Sequence, residues 1–187
     1  MHRAKNKFNL TNMKQNFKEL LHHVKCFILD VDGVLTDGSV TVMPGELIRT
    51  MNIRDGYALH EAVKAGYHVV IISGGKSESV RTRLNNLGIT DVYLGVSSKV
   101  EKLNEVLVKY KLSPEHVLYM GDDLPDYDVM KLCGVPTCPQ DAAFEIRELA
   151  VYVSDKSGGK GCVRDVIEQT LRLHNQWRYT PDTTASL

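Results

Sequence analysis

Short apolar runs rich in Val and Ile recur along this chain at CFILDV, HVVIIS, DVYLGV, HVLYMG, VPTC and AVYVS. Each has strand length, and an unbroken apolar run suits a strand buried on both faces. Helical patterns separate most of them, at Tyr57–Ala65, Ser77–Leu87, Lys99–Tyr110, Asp126–Leu132 and Ala142–Leu149, several closed by a glycine such as Gly66 or Gly88. This alternation predicts a doubly wound, Rossmann-like α/β fold: one parallel sheet with helices on both faces.

One segment breaks the rhythm. Residues 39–53, SVTVMPGELIRTMNI, alternate with β character around Pro44-Gly45, which predicts a β-hairpin inserted after the first strand. Before that strand, NFKELLHHVK places Phe17, Leu20, Leu21 and Val24 on one helical face. At the far end, a glycine-rich turn feeds a last helix in GGKGCVRDVIEQTLRL. The chain has 187 residues, 43% of them apolar, enough for one full core. We therefore expect a single domain over 20–175, an N-terminal extension over 1–19 with its first dozen residues loose, and a flexible tail over 176–187.

Basic and acidic residues balance at 23 each, so no electrostatic footprint points to nucleic acid or to an anionic membrane. No apolar stretch approaches a membrane span, and the start lacks a signal-peptide core. Cys26, Cys133, Cys138 and Cys162 form no CxxC pair, which fits free thiols in a reducing cytosol. A small-molecule partner and a cytoplasmic location are expected.

In a parallel sheet, ligands bind beyond the carboxyl ends of the strands. The residues there are Asp30, Asp32 and Gly33, then Ser73, Gly74 and Gly75, then Lys99 at a helix start, then Gly121, Asp122 and Asp123. Converging carboxylates repel unless a divalent ion shares them, and an oxygen-only ligand set suits Mg²⁺. Such an ion recruits phosphate, for which Ser73, the Gly74 amide and Lys99 supply donors. Two reactions fit: an aspartate attacks phosphorus, or the metal activates water. The Asp-x-Asp spacing favours the first, with Asp30 and Asp32 on one strand face and a bend at Gly33 offering one carboxylate to phosphorus and the other to the leaving oxygen.

The set DVDGVLTDG, IISGG, Lys99 and GDDLPD, in this order, resembles the four motifs of the haloacid dehalogenase-like phosphohydrolase superfamily. The resemblance implies Asp30 as nucleophile, Asp32 as acid/base, and Ser73 and Lys99 as holders of the phosphoryl oxygens. It implies Mg²⁺ bound by Asp30, the Asp32 backbone carbonyl and Asp122, with Asp123 and Asp126 supporting. The motif spacing leaves no room for a cap domain. Within the capless branch, the hairpin, NIRDGYAL, GDDLPD and GGKGCVRDVIE resemble the 3-deoxy-D-manno-octulosonate 8-phosphate phosphatase family over about residues 20–174. That implies a sugar-acid phosphate substrate, a role in lipopolysaccharide biosynthesis, and a homotetramer in which hairpins assemble and a neighbouring subunit covers the active site. Val40, Val42 and Leu47 suit such burial, although burial on the chain's own sheet is the alternative.

An anionic sugar acid calls for cations beyond Lys99. Arg54, Lys76, Arg81, Arg83 and Lys160 are candidates, each alone readable as a solvated surface charge, with Arg83 ranked first. The second motif reads SGG where many relatives carry Thr-Gly-Arg, so a substrate-facing arginine is missing at Gly75. Serine keeps the hydroxyl, which leaves the chemistry intact and the substrate open between the eight-carbon acid and nine-carbon acids such as 2-keto-3-deoxynononate 9-phosphate. Asp37 and Asp55 each precede glycine and suit turns as well as substrate contact. A receiver-like phospho-switch is the alternative of another class, disfavoured because no lone aspartate ends the IISGG or VYLGV strands; a catalytically retired tetramer is the third reading.

Overall fold

The computed structural model describes residues 16–177; the expected loose start and most of the expected tail lie outside that range. Six parallel strands form one sheet: β1 (Cys26–Leu29), β4 (His68–Ser73), β5 (Asp91–Leu94), β6 (Val117–Met120), β7 (Val135–Cys138) and β8 (Tyr152–Val153). Their spatial order is β5-β4-β1-β6-β7-β8. The chain winds outward from β1 through β4 to β5, then crosses back to set β6 on the other side of β1. That reversal opens a crevice at the carboxyl end of β1, between β4 and β6.

Both sheet faces are covered, as the continuous apolar runs demand. Phe27 and Leu29 of β1 face a core built with α2 (Ile53–Lys64), α3 (Glu78–Asn85) and α7 (Cys162–Leu173). Cys26 and Ile28 face a second core with α4 (Lys99–Tyr110), α5 (Tyr127–Met130) and α6 (Phe144–Leu149). Each fully buried Leu or Ile contributes about 1.5–3 kcal/mol through area removed from water. The four cysteines are free and buried.

A short α1 (Phe17–Leu21) precedes the sheet, with Phe17 stacked on Tyr152 at 4.1 Å. At the other end Trp177 meets Tyr57 edge-on at 5.9 Å. Phe17 and Trp177 both pack against the first core. The hairpin is β2 (Thr41–Met43) and β3 (Glu46–Ile48), turning at Pro44-Gly45 and forming its own two-stranded sheet. It ends earlier than expected, because Asn52 caps α2 by accepting from the Arg54 N–H at 2.8 Å. Asp55-Gly56 is therefore helix and no turn. Asp55 is buried and accepts from the Gly161 and Arg164 amides at 3.2 and 2.7 Å, which caps α7 from a neighbouring helix and makes it structural. No cap domain lies among the described residues, and none of their helices is long and apolar enough to cross a membrane.

Candidate active site

Strand periodicity aims the first carboxylate. Asp30 follows β1 in phase with Cys26 and Ile28, so its side chain leaves toward the α4 face. There α4 begins at Lys99, capped by Ser98 accepting from the Glu101 N–H at 3.2 Å. A lysine opening a helix opposes the helix dipole; this one is held by carboxylates. Its Nζ donates to Asp30 Oδ2 and Asp126 Oδ1, each at 2.7 Å.

Asp122 and Asp126 come from the loop after β6. Asp30, Asp122 and Asp126 each offer an oxygen within 4.8 Å of the others. Asp126 accepts three bonds: Oδ1 from Lys99 and from the Tyr119 hydroxyl at 2.7 Å, and Oδ2 from the Asp122 N–H at 3.3 Å. That pattern fits a support that orients Lys99 and the Asp122 backbone. Asp122 owes its approach to Gly33, whose φ is +80° and where a Cβ would stand 1.9 Å from Asp122 Oδ2. The turn is braced from behind by Gly158, where a Cβ would come within 2.0 Å of the Gly33 carbonyl oxygen. This accounts for the glycine-rich segment before α7.

The charges are unbalanced as the protein stands. Burial, and then Asp126, push the Asp30 carboxyl up to about 6 against the pull of Lys99. Burial, and then Asp30 and Asp126, push Asp122 up to about 7. Burial works against the Lys99 charge, but Asp30 and Asp126 outweigh it and hold the ammonium above its usual range. Two raised carboxyls beside oxygen ligands fit a hard divalent cation, whose charge would reverse both shifts.

Asp30 and Asp32 do not share a face. The backbone stays extended through Asp30 and then turns over Val31–Leu35, and Asp32 meets Arg49, which donates through Nε to Oδ1 at 2.7 Å and through Nη2 to Oδ2 at 3.1 Å. The expectation of two parallel side chains on one ideal strand fails because β1 has ended, while the divergence at Gly33 stands. Ser73 is buried at the end of β4, its Oγ accepting from the Gly75 N–H at 3.1 Å, and Gly74 follows at the crevice mouth. Asp123 is apart from the cluster: its carboxylate accepts from the Leu124 N–H.

The basic candidates scatter. Arg81 donates to the Val92 carbonyl at 2.6 Å and ties α3 to β5. Lys160 pairs with Asp37 at 3.4 Å. Arg54 lines a cavity of about 570 Å³ with Lys156, Lys160, Arg164 and Arg172. Arg83 is exposed and reaches Gly56 at the start of α2. Lys76 runs along Gly95 and lines a cavity of about 580 Å³ under the hairpin. Arg49 went unforeseen, since one basic residue inside a predicted hairpin carries no spacing signal. Tyr119 also went unforeseen, since nothing in an apolar strand marks a tyrosine whose hydroxyl donates to a carboxylate such as Asp126.

A family model for haloacid dehalogenase-like hydrolases matches residues 90–167. The 3-deoxy-D-manno-octulosonate 8-phosphate phosphatase KdsC of Escherichia coli strain K12 is 39% identical over 150 residues, 80% of each chain. A phosphatase of that name from Yersinia pestis has a crystal structure 34% identical, with a TM-score of 0.83 over 86% of this chain and 87% of that one. The enzyme from Moraxella catarrhalis, solved with a magnesium ion, a phosphate ion and a KDO molecule, gives 30% identity and a TM-score of 0.83 over 86% and 93%. With the carboxylate cluster at the switch point of the sheet, these likenesses establish that the chain belongs to the 3-deoxy-D-manno-octulosonate 8-phosphate phosphatase family of haloacid dehalogenase-like hydrolases.

Proposed function

We propose that this protein is a Mg²⁺-dependent phosphatase that hydrolyses 3-deoxy-D-manno-octulosonate 8-phosphate to the free sugar acid and phosphate through an aspartyl phosphate. The observation that carries the reading is Lys99 bridging Asp30 and Asp126 at 2.7 Å beside Asp122, on the crevice floor.

Asp30 is the nucleophile. Its Oδ1 accepts from the Val31 N–H at 2.7 Å and Oδ2 from Lys99, so the carboxylate is fixed before substrate arrives. Lys99, the Ser73 hydroxyl and the Gly74 amide hold the phosphoryl oxygens and stabilise the charge that grows on them. Asp32, beyond the turn, protonates the leaving oxygen and then draws a proton from the water that cleaves the aspartyl phosphate. Asp30, Asp122 and the Asp32 backbone carbonyl hold Mg²⁺, and Asp126 keeps Lys99 in place. The bound ion supplies charge neutralisation between carboxylates and phosphate. Asp123 supports the loop. Arg83, Arg54 and Lys76 remain candidates for sugar contacts.

The hairpin supports assembly. Val42, 75% exposed, pairs across it with Leu47, and both lie outside the two cores. We infer a cytoplasmic homotetramer in which hairpins pack together and a neighbour covers the crevice, serving lipopolysaccharide biosynthesis, with the phosphatase domain over 20–175.

Phosphate release with Mg²⁺ from the eight-carbon acid phosphate, 2-keto-3-deoxynononate 9-phosphate and hexose phosphates tests the substrate. Preference for the eight-carbon acid is expected. Preference for the nine-carbon acid would overturn the substrate and keep the chemistry; no release from any would overturn both.

A further inference from the structure

Lys99 donates to Asp30 and Asp126 and keeps one donor, which the phosphatase reading assigns to the phosphoryl group. Arg49 is a second cation in the crevice, and it comes from the hairpin instead of the sheet. Its guanidinium grips Asp32 with two hydrogen bonds, the fork geometry that suits any planar carboxylate. It lies against position 75, which has no side chain. A Cβ on Gly75 would stand 3.3 Å from Arg49 Nη2, 3.1 Å from Asp32 Oδ2 and 3.4 Å from Ser73 Oγ. Arg49 thus fills the room that a residue at 75 would take.

The position also says which part of the substrate it meets. Asp32 serves the leaving oxygen, so whatever lies on the Arg49 side of Asp32 meets the leaving group and not the phosphoryl group. A cavity of about 580 Å³ lies between the hairpin and the residues that follow Gly75, lined by Met43, Glu46, Leu47, Lys76 and Ser77, and Arg49 reaches its edge by donating through Nη1 to the Leu47 carbonyl at 3.3 Å. We propose that Arg49 is a specificity residue that binds the sugar-acid leaving group, moving its fork from Asp32 to the carboxylate of the acid and standing in for the side chain that Gly75 lacks. The inference rests on the phosphatase reading above and deepens it: this enzyme carries its acid selectivity on the hairpin.

The test compares wild type, Arg49→Ala, Arg49→Lys, Gly75→Arg and Arg49→Ala/Gly75→Arg, each with Mg²⁺. The readouts are kcat/KM for 3-deoxy-D-manno-octulosonate 8-phosphate and for p-nitrophenyl phosphate, and inhibition by the free sugar acid and by inorganic phosphate. Losing charge-assisted hydrogen bonds in Arg49→Ala lowers the ratio of the two kcat/KM values by about 10- to 100-fold. It weakens the free sugar acid by a similar factor and inorganic phosphate far less. Arg49→Lys recovers part of the ratio, as charge without a fork. Gly75→Arg alone lowers the ratio by crowding Arg49, and the double variant regains part of what Arg49→Ala lost. Equal losses on both substrates, or a folded double variant no more selective than Arg49→Ala, would overturn the proposal and leave the phosphatase reading standing. A wild type that hydrolyses p-nitrophenyl phosphate but prefers no sugar acid would overturn the substrate reading and this proposal together.

Discussion

The crevice floor and the hairpin above it are built on opposite rules. On the floor, the buried Asp30 and Asp126 are joined through half-buried Lys99, and Tyr119 binds Asp126 from within the core. On the hairpin, Val42, Met43, Leu47 and Ile48 are exposed, and its two strands pair only with each other among the described residues. The floor is a preorganised electrostatic device that needs only its ion and its phosphate. The hairpin is a surface that leaves apolar side chains uncovered; under the two proposals above, a second copy covers them and Arg49 takes the sugar acid. On those proposals chemistry and selectivity sit on separate structures.

The comparison breaks most sharply at Asp30. Asp30→Asn removes the nucleophile while keeping its shape and the Val31 contact, so turnover falls by about four orders of magnitude or more, with an unchanged circular dichroism spectrum. Full activity in that variant would assign the chemistry elsewhere. Lys99→Met leaves Asp30 and Asp126 facing each other without a cation. Truncating one partner of a buried ion pair costs about 3–5 kcal/mol, read by denaturant melts without metal, and kcat falls about a hundred- to a thousandfold.

The third prediction concerns charge. Asp30 and Asp122, raised to about 6 and about 7 from an ordinary 3.8, bind protons more tightly folded than unfolded. Their contribution to stability is complete below pH about 4 and is lost as pH rises through 6 and 7. The metal-free protein therefore loses stability over that window, and Mg²⁺ removes the loss; parallel melts with chelator and with Mg²⁺ check it. Identical pH profiles would detach the ion from these carboxylates. The smallest effect on the fold belongs to the hairpin. Val42→Asp leaves the spectrum of the protomer intact but yields a smaller species in sedimentation than wild type, whereas an unchanged sedimentation coefficient would show that the hairpin does not carry the proposed assembly.

Much of the floor was legible because its signals are local. An apolar run ending in Asp30, a serine ending β4, a lysine opening α4 and an acidic loop after β6 each follow from one stretch of chain, and the parallel topology brings them together. The departures arise where a neighbour decides. Asp55-Gly56 suits a turn by itself, but α7 needs its carboxylate as a cap. Asp30 and Asp32 suit one strand face, but β1 ends and Arg49 draws Asp32 aside. Arg49 acts across 17 residues of sequence through a gap at Gly75, and no periodicity encodes an absence.

The most direct test of the account is the mass of the enzyme quenched in acid during turnover with Mg²⁺ and 3-deoxy-D-manno-octulosonate 8-phosphate, followed by peptide mapping. The account predicts a fraction of chains heavier by one phosphoryl group, carried by the peptide containing Asp30 and lost in Asp30→Asn. Rapid turnover with no phosphorylated chain at any quench time, or a phosphoryl group on another residue, would contradict it.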